Sequence, residues 1–231
     1  MGQLRSSSPL FHPGPPAKVG HTDPEVVRFL ESRVEGEILD MGGGLGAYSN
    51  ALRERDHKVT LAEKDPHCLE EVRKLGIPVL DMNIIPWEDL KQRFDTVILV
   101  EVLEHVENPL EFLKNVLACA RKKVLITVPC NDEFDKLFQV GLTYNHIAVS
   151  DHLHQFTSQE ISSFLEKIGC DFKVYTAGYL FPDAVLHLLY QEMWKNLKGK
   201  LALSSLRLFQ RFGWLPKLFP ARIFAEAWPY N

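Results

Sequence analysis

The sequence predicts an α/β fold built on a doubly wound, parallel sheet. Three observations predict it. From residue 24 onward, apolar runs alternate with amphipathic stretches. The runs are nearly continuous in apolar residues, as in strands covered on both faces. The composition, 45% hydrophobic and 24% charged over 231 residues, suits one well-buried core.

Residues 1–22 are rich in Ser, Pro and Gly, have no hydrophobic period, and read as a flexible N-terminal arm. Met1-Gly2-Gln3-Leu4-Arg5-Ser6 also fits the N-myristoylation pattern, which matches often by chance. Residues 23–231 are expected to form a single domain. Asp23-Pro24 opens a helix with Val26, Val27, Phe29 and Leu30 inward. Glu37–Met41 reads as a strand, Ala47–Arg55 as a helix, Lys58–Ala62 as a strand and Pro66–Leu75 as a helix. A short strand is expected at Pro78–Leu80 and a longer one at Phe94–Val100. Asn108 caps a helix to about Ala120, and Lys123–Val128 is a strand. Thr157-Ser158-Gln159-Glu160 fits a capping box and starts a helix through Ile168, ended by Gly169. Asp171–Ala177 and Arg222–Trp228 alternate like strands, bringing the expected total to seven. The leucine- and aromatic-rich stretch at about 180–218 reads as a helical insertion before the last strand.

Net charge is −4, which argues against a general nucleic-acid binder. The longest stretch without Asp, Glu, Lys or Arg is Leu137–Ser150, too short to span a membrane as a helix. No apolar run follows Met1, so no secretory leader is expected. Cys68, Cys119, Cys130 and Cys170 lie far apart and read as reduced, mostly buried thiols of a cytoplasmic protein.

The strongest local signal is Asp40-Met41-Gly42-Gly43-Gly44-Leu45-Gly46-Ala47, a buried strand running through a glycine turn into a helix. Such a turn needs positive φ and lets a ligand approach the backbone closely. Glu63, at the end of the second strand, can accept both hydroxyls of a ribose. Two nucleoside-binding classes fit. Gly42-x-Gly44-x-x-Ala47 matches the dinucleotide fingerprint. Asp40, however, suits a loop that holds the ammonium of an amino acid better than one that holds phosphate.

Asp40-x-Gly42-x-Gly44-x-Gly46 resembles the first motif of class I S-adenosylmethionine-dependent methyltransferases. Ala62-Glu63-Lys64-Asp65-Pro66 and Asp81-Met82 resemble that family's next two motifs. Phe94 through Val106, with Glu101-Val102-Leu103-Glu104-His105, resembles the fourth-strand motif of its ubiquinone and methionine-biosynthesis-type subgroup. Asp151-His152-Leu153-His154-Gln155-Phe156-Thr157 resembles a later segment, with Gln155 where the family has an aromatic residue. The resemblance implies a Rossmann-like sheet of seven strands, mostly parallel with an antiparallel last strand. It implies S-adenosyl-L-methionine as cofactor, with Gly42, Gly44 and Gly46 under the methionine moiety and Asp40 near its amino group. Glu63 would take the ribose and Asp81 the adenine amine, while Met82 and Lys64 line the base. Val100 and Glu101 would meet the cofactor at the end of strand four.

A hydroxyl acceptor needs its proton removed, and a histidine suits that. His152, His105 and His154 are the catalytic candidates, with His146 a further one; His105 follows Glu101 by one turn, so that both face the cleft. A metal reading on His146, Asp151, His152 and His154 lacks a tight spacing signature, and no metal is expected. Between Tyr179 and Arg222 seven basic residues face two acids, beside many apolar ones. That composition suits a lid over the cleft, or peripheral contact with the inner face of an anionic membrane. The expected activity is methyl transfer to a small-molecule or amphiphilic acceptor, lipid- or glycan-linked, with O-methylation favoured, by a monomer or homodimer. A non-catalytic cofactor-binding scaffold and an NAD(P)-dependent oxidoreductase are the competing readings.

Overall fold

The computed structural model describes residues 22–133, 135, 152–179 and 220–229. The arm before Thr22, the insertion expected at about 180–218, the Gly2 pattern, His146 and Asp151 lie outside the described residues.

Helix α1 (Pro24–Glu31) is capped by Asp23, whose carboxylate accepts from the Glu25 N–H, and Pro24 takes the first-turn position where no N–H is needed. Strand β1 (Glu37–Met41) runs through the glycine turn into α2 (Ala47–Arg53). That helix ends two residues earlier than its sequence pattern suggests, because Asp56 turns left-handed at φ 65° and the last N–H groups bond three residues back. Strand β2 (Lys58–Glu63), helix α3 (Pro66–Lys74) and strand β3 (Val79–Asp81) follow. The short strand starts after Pro78 rather than at it, since proline has no N–H for the ladder. Its end shifts with it: Glu63 pairs with Asp81. Then come β4 (Phe94–Val100), α4 (Pro109–Cys119) and β5 (Ala120–Pro129). β5 begins three residues earlier than expected because Ala120 pairs with Phe94 across a bulge. Helix α5 (Ser158–Ile168) closes with Gly169 at φ 83°, before β6 (Asp171–Tyr179) and β7 (Pro220–Trp228).

The sheet order is β3-β2-β1-β4-β5-β7-β6. Strands β1 to β5 are parallel, and β7 lies antiparallel between β5 and β6. The expected seven-stranded doubly wound sheet with an antiparallel last strand is therefore present. Period-two alternation divides the core. Leu39, Val97, Leu99, Val124 and Ile126 point to the face covered by α4 and α5. Ile38, Ile98, Leu125 and Phe224 point to the face covered by α1. An aromatic trio ties the chain's first helix to its last strands: Phe29 meets Phe224 edge-on at 4.8 Å, and Tyr175 stacks on Phe224 at 5.6 Å. All four cysteines are free, and burial pushes the Cys119 and Cys130 thiols up to about 11.

Candidate functional site

Parallel strands deliver their loops to one edge of the sheet, and the sequence-predicted residues gather there. After Met41 the chain turns through Gly42, Gly44 and Gly46, at φ 73°, 53° and 78°. A Cβ on Gly42 would meet Val102 at 2.9 Å, whereas one on Gly44 would meet nothing within 4 Å. Gly42 is thus required by packing. Gly44 leaves space beside the loop.

Glu63 is held by three backbone N–H groups. Its Oε2 accepts from Gly44 at 3.0 Å, and its Oε1 accepts from Lys64 at 2.7 Å and Asp65 at 3.0 Å. The acid at the end of β2 is therefore pre-oriented toward the glycine turn. Asp40 is 2% exposed beneath the loop and accepts from the Ser49 hydroxyl at 2.6 Å. Burial pushes its carboxyl up to about 6; the Ser49 hydrogen bond opposes that and the nearby Glu63 charge adds to it. Asp81 accepts from both the backbone and side-chain nitrogens of Asn83, which in turn reaches the Lys64 carbonyl at 2.6 Å.

A cavity of about 780 Å³ opens at this edge. Of the sequence-predicted residues, Gly42, Glu63, Lys64, Met82, Glu101 and His105 line it. Asp40 lies beneath the turn, Gly44 and Gly46 belong to the turn itself, and Asp81 stands beside Asn83 rather than in the wall. Val100 packs on the α1 side of the core with Tyr48. The remaining wall went unread in the sequence. Asn108, Glu111, Phe112 and Asn115 share one face of α4, and their i, i+3, i+4, i+7 spacing carried the signal. Trp87, edge-on to Phe112 at 5.5 Å, had no such marker.

Glu101 and His105 do both reach the wall, but not through a helical turn. Glu101 adopts φ 53°, and Leu103–His105 form a 3₁₀ turn. This brings the His105 ring edge-on to His152, with centroids 4.8 Å apart. One ligand atom from each of Glu104, His105 and His152 lies within 4.8 Å of the other two. His154 is placed differently. Its N–H donates to the Glu104 carbonyl, its ring stacks on Phe156 at 5.8 Å, and its buried Nε2 has no hydrogen-bond partner among the described residues. Glu104 had no role assigned from sequence, yet it joins both histidine-bearing segments: its carbonyl also accepts from the Leu153 N–H at 2.8 Å.

A protein family described as a methyltransferase domain matches residues 22–173. The chain is 32% identical over 111 residues to the ubiquinone biosynthesis O-methyltransferase of Idiomarina loihiensis, covering 43% of this chain and 44% of that protein. It is 33% identical over 89 residues to the mitochondrial ubiquinone biosynthesis O-methyltransferase of Schizosaccharomyces pombe, covering 35% of this chain and 32% of that protein. The matches thus span less than half the length of these relatives. Among solved structures, the plantazolicin methyltransferase BamL, in complex with a triazolic desmethylPZN analog and SAH, shares the fold at a TM-score of 0.56 and 16% identity. That likeness covers 90% of this chain and 84% of BamL. The magnesium protoporphyrin IX methyltransferase of Synechocystis, with bound SAH, shares it at a TM-score of 0.54 and 14% identity, covering 88% of this chain and 80% of that one.

Proposed function

The chain belongs to the methyltransferase-domain family of class I S-adenosylmethionine-dependent enzymes, and we propose that it methylates a hydroxyl of a small or amphiphilic acceptor. The observation that carries this reading is the pairing of the Gly42–Gly46 turn with a pre-oriented Glu63 at the mouth of one cavity. The residues fit the family's cofactor. Gly44 leaves open space where the ligand must approach the backbone, and the Glu63 carboxylate keeps acceptor capacity for the ribose hydroxyls. The buried Asp40 supplies negative charge below the turn for the amino group, while Met82 and Lys64 flank the base.

When bound, the cofactor supplies a methyl group already made electrophilic by its sulfonium, so the protein's task is alignment and proton management. His105, on the wall of the same cavity and edge-on to His152, would take the proton of an acceptor hydroxyl as the new bond forms. The carboxylate of Glu104 would stabilise the imidazolium so produced. The relatives named as ubiquinone biosynthesis O-methyltransferases support an oxygen as the methylated atom. The three-residue cluster also favours a second reading, in which Glu104, His105 and His152 hold a divalent cation that acidifies the hydroxyl.

Calorimetry with S-adenosylmethionine tests the donor site. Glu63→Ala should lose about 1.5–3 kcal/mol of binding, as for hydrogen bonds to a charged group. Gly44→Val, which fills the open space, should abolish binding in a protein that keeps its near-UV dichroism. Undiminished affinity in both variants would sink the reading. For the acceptor step, turnover of a hydroxylated ubiquinone precursor is to be followed before and after treatment with a chelator. Full activity in the chelated enzyme, lost in His105→Ala, selects the base. Loss of activity restored by a divalent cation selects the metal.

A further inference from the structure

Among the described residues, a largely buried cation stands beside the donor site without a role in it. Arg222 lies near the start of β7, opposite Pro129 in the ladder, with its side chain 18% exposed. Its Nε donates to Glu101 Oε1 at 3.0 Å and its Nη1 to Asp23 Oδ2 at 2.7 Å. A guanidinium is taken from water at high cost unless it is paired, and here two carboxylates pair it. They come from opposite parts of the chain. Asp23 caps α1, and Glu101 is the first residue beyond β4.

Glu101 is the unusual partner. Its left-handed backbone is strained for a non-glycine residue, and such a conformation persists only where its surroundings over-determine it. They do. The Glu101 N–H donates to the Thr127 carbonyl at 2.9 Å, and Oε1 accepts from both the Thr127 hydroxyl and Arg222. Oε1 is thus occupied, while Oε2 takes no hydrogen bond among the described residues, and Glu101 lines the cavity.

We propose that Arg222 is a positioning residue for methyl-donor binding: by gripping Oε1 of Glu101 and anchoring itself on Asp23, it presents Oε2 to the cationic methionine end of the donor. The proposal rests on the donor reading of the cavity. It makes donor affinity depend on the last strand and on the cap of the first helix, neither of which lines the cavity. Arg33 and Glu226 provide an internal comparison, because their 2.7 Å pair also ties β7 to the α1 end of the chain without touching the cavity wall.

The test is calorimetric titration of the full chain with S-adenosylmethionine and with S-adenosylhomocysteine. Arg222→Gln should weaken both ligands about tenfold, or about 1.4 kcal/mol. Asp23→Asn should weaken them about threefold, Arg222→Lys should recover part of the loss, and Glu226→Gln should stay within twofold of the parent. The proposal is overturned if folded Arg222→Gln binds within twofold of the parent, or if Glu226→Gln loses as much. Should Arg222→Gln fail to fold, Arg222→Lys and Asp23→Asn decide: parental affinity in both overturns the proposal, and weakened binding in both sustains it. A parent protein that binds neither ligand overturns the donor reading itself, a result distinct from all of these.

Discussion

Asp40 shows how much one residue can carry. The carboxyl sits beneath the glycine turn at 2% exposure and is pushed up to about 6, chiefly by burial. The folded protein therefore holds this proton more tightly than the unfolded chain, whose aspartate titrates near 3.9. Asp40 opposes folding least below about pH 4. Its penalty grows as pH rises to about 6 and is constant above that, at about 3 kcal/mol for the roughly two-unit difference. Urea denaturation of the parent and Asp40→Asn should show the variant gaining relative stability between pH 4 and 6. A gap that does not change with pH would contradict the assigned environment. On the proposed placement of the donor's amino group above it, the charged carboxylate is the binding form, so parent affinity should fall as pH drops through 6 and that of Asp40→Asn should not.

At the scale of elements, short caps hold the site-bearing loops. The capping box of α5 is complete: the Thr157 hydroxyl receives the Glu160 N–H, and the Glu160 carboxylate receives the Thr157 N–H. Just outside it, the Ser158 hydroxyl and N–H both donate to Asp132, beyond β5. The segment 152–157 is therefore tied at its far end to α5, and near His152 to the Glu104 carbonyl. Thr157→Ala should cost about 1 kcal/mol of global stability. Donor affinity should stay unchanged, because no donor-site residue belongs to α5; chemical denaturation and calorimetry on one preparation measure both. The same economy appears in α1, where Asp23 uses one carboxylate oxygen for the cap and the other for Arg222.

Across the whole molecule, β7 is the keystone. It pairs with β5 from Val124–Ala227 to Pro129–Arg222 and with β6 along its length, and it buries Ile223, Phe224, Ala225 and Ala227. Without it β6 would have no partner among the described strands, α1 would lose the Phe224 contact, and the turn after α1 would lose the Arg33–Glu226 pair. A chain ending at residue 219 should show no cooperative thermal unfolding by circular dichroism. A sharp transition in that truncation would mean that the five parallel strands fold without their antiparallel cover.

What the sequence by itself determined is the order and kind of the described elements, and the glycine turn and acid on which the proposed donor site is built. Continuous apolar runs, a glycine turn and helix caps are local features, and local chemistry reads them: Asp40 through Gly46, Glu63, and the capping box at Thr157–Glu160 all stand where their patterns put them. What only the tertiary structure decided is which distant groups meet. The Glu104–His105–His152 cluster joins a 3₁₀ turn to a segment almost fifty residues later, and Arg222 reaches across 199 residues to Asp23. No periodicity encodes such pairs, because the sheet order, and not spacing along the chain, decides which strand ends and loops come together. The left-handed Glu101 belongs with them. Its backbone is strained in isolation, and among the described residues Thr127 on β5 and Arg222 on β7 hold it in place.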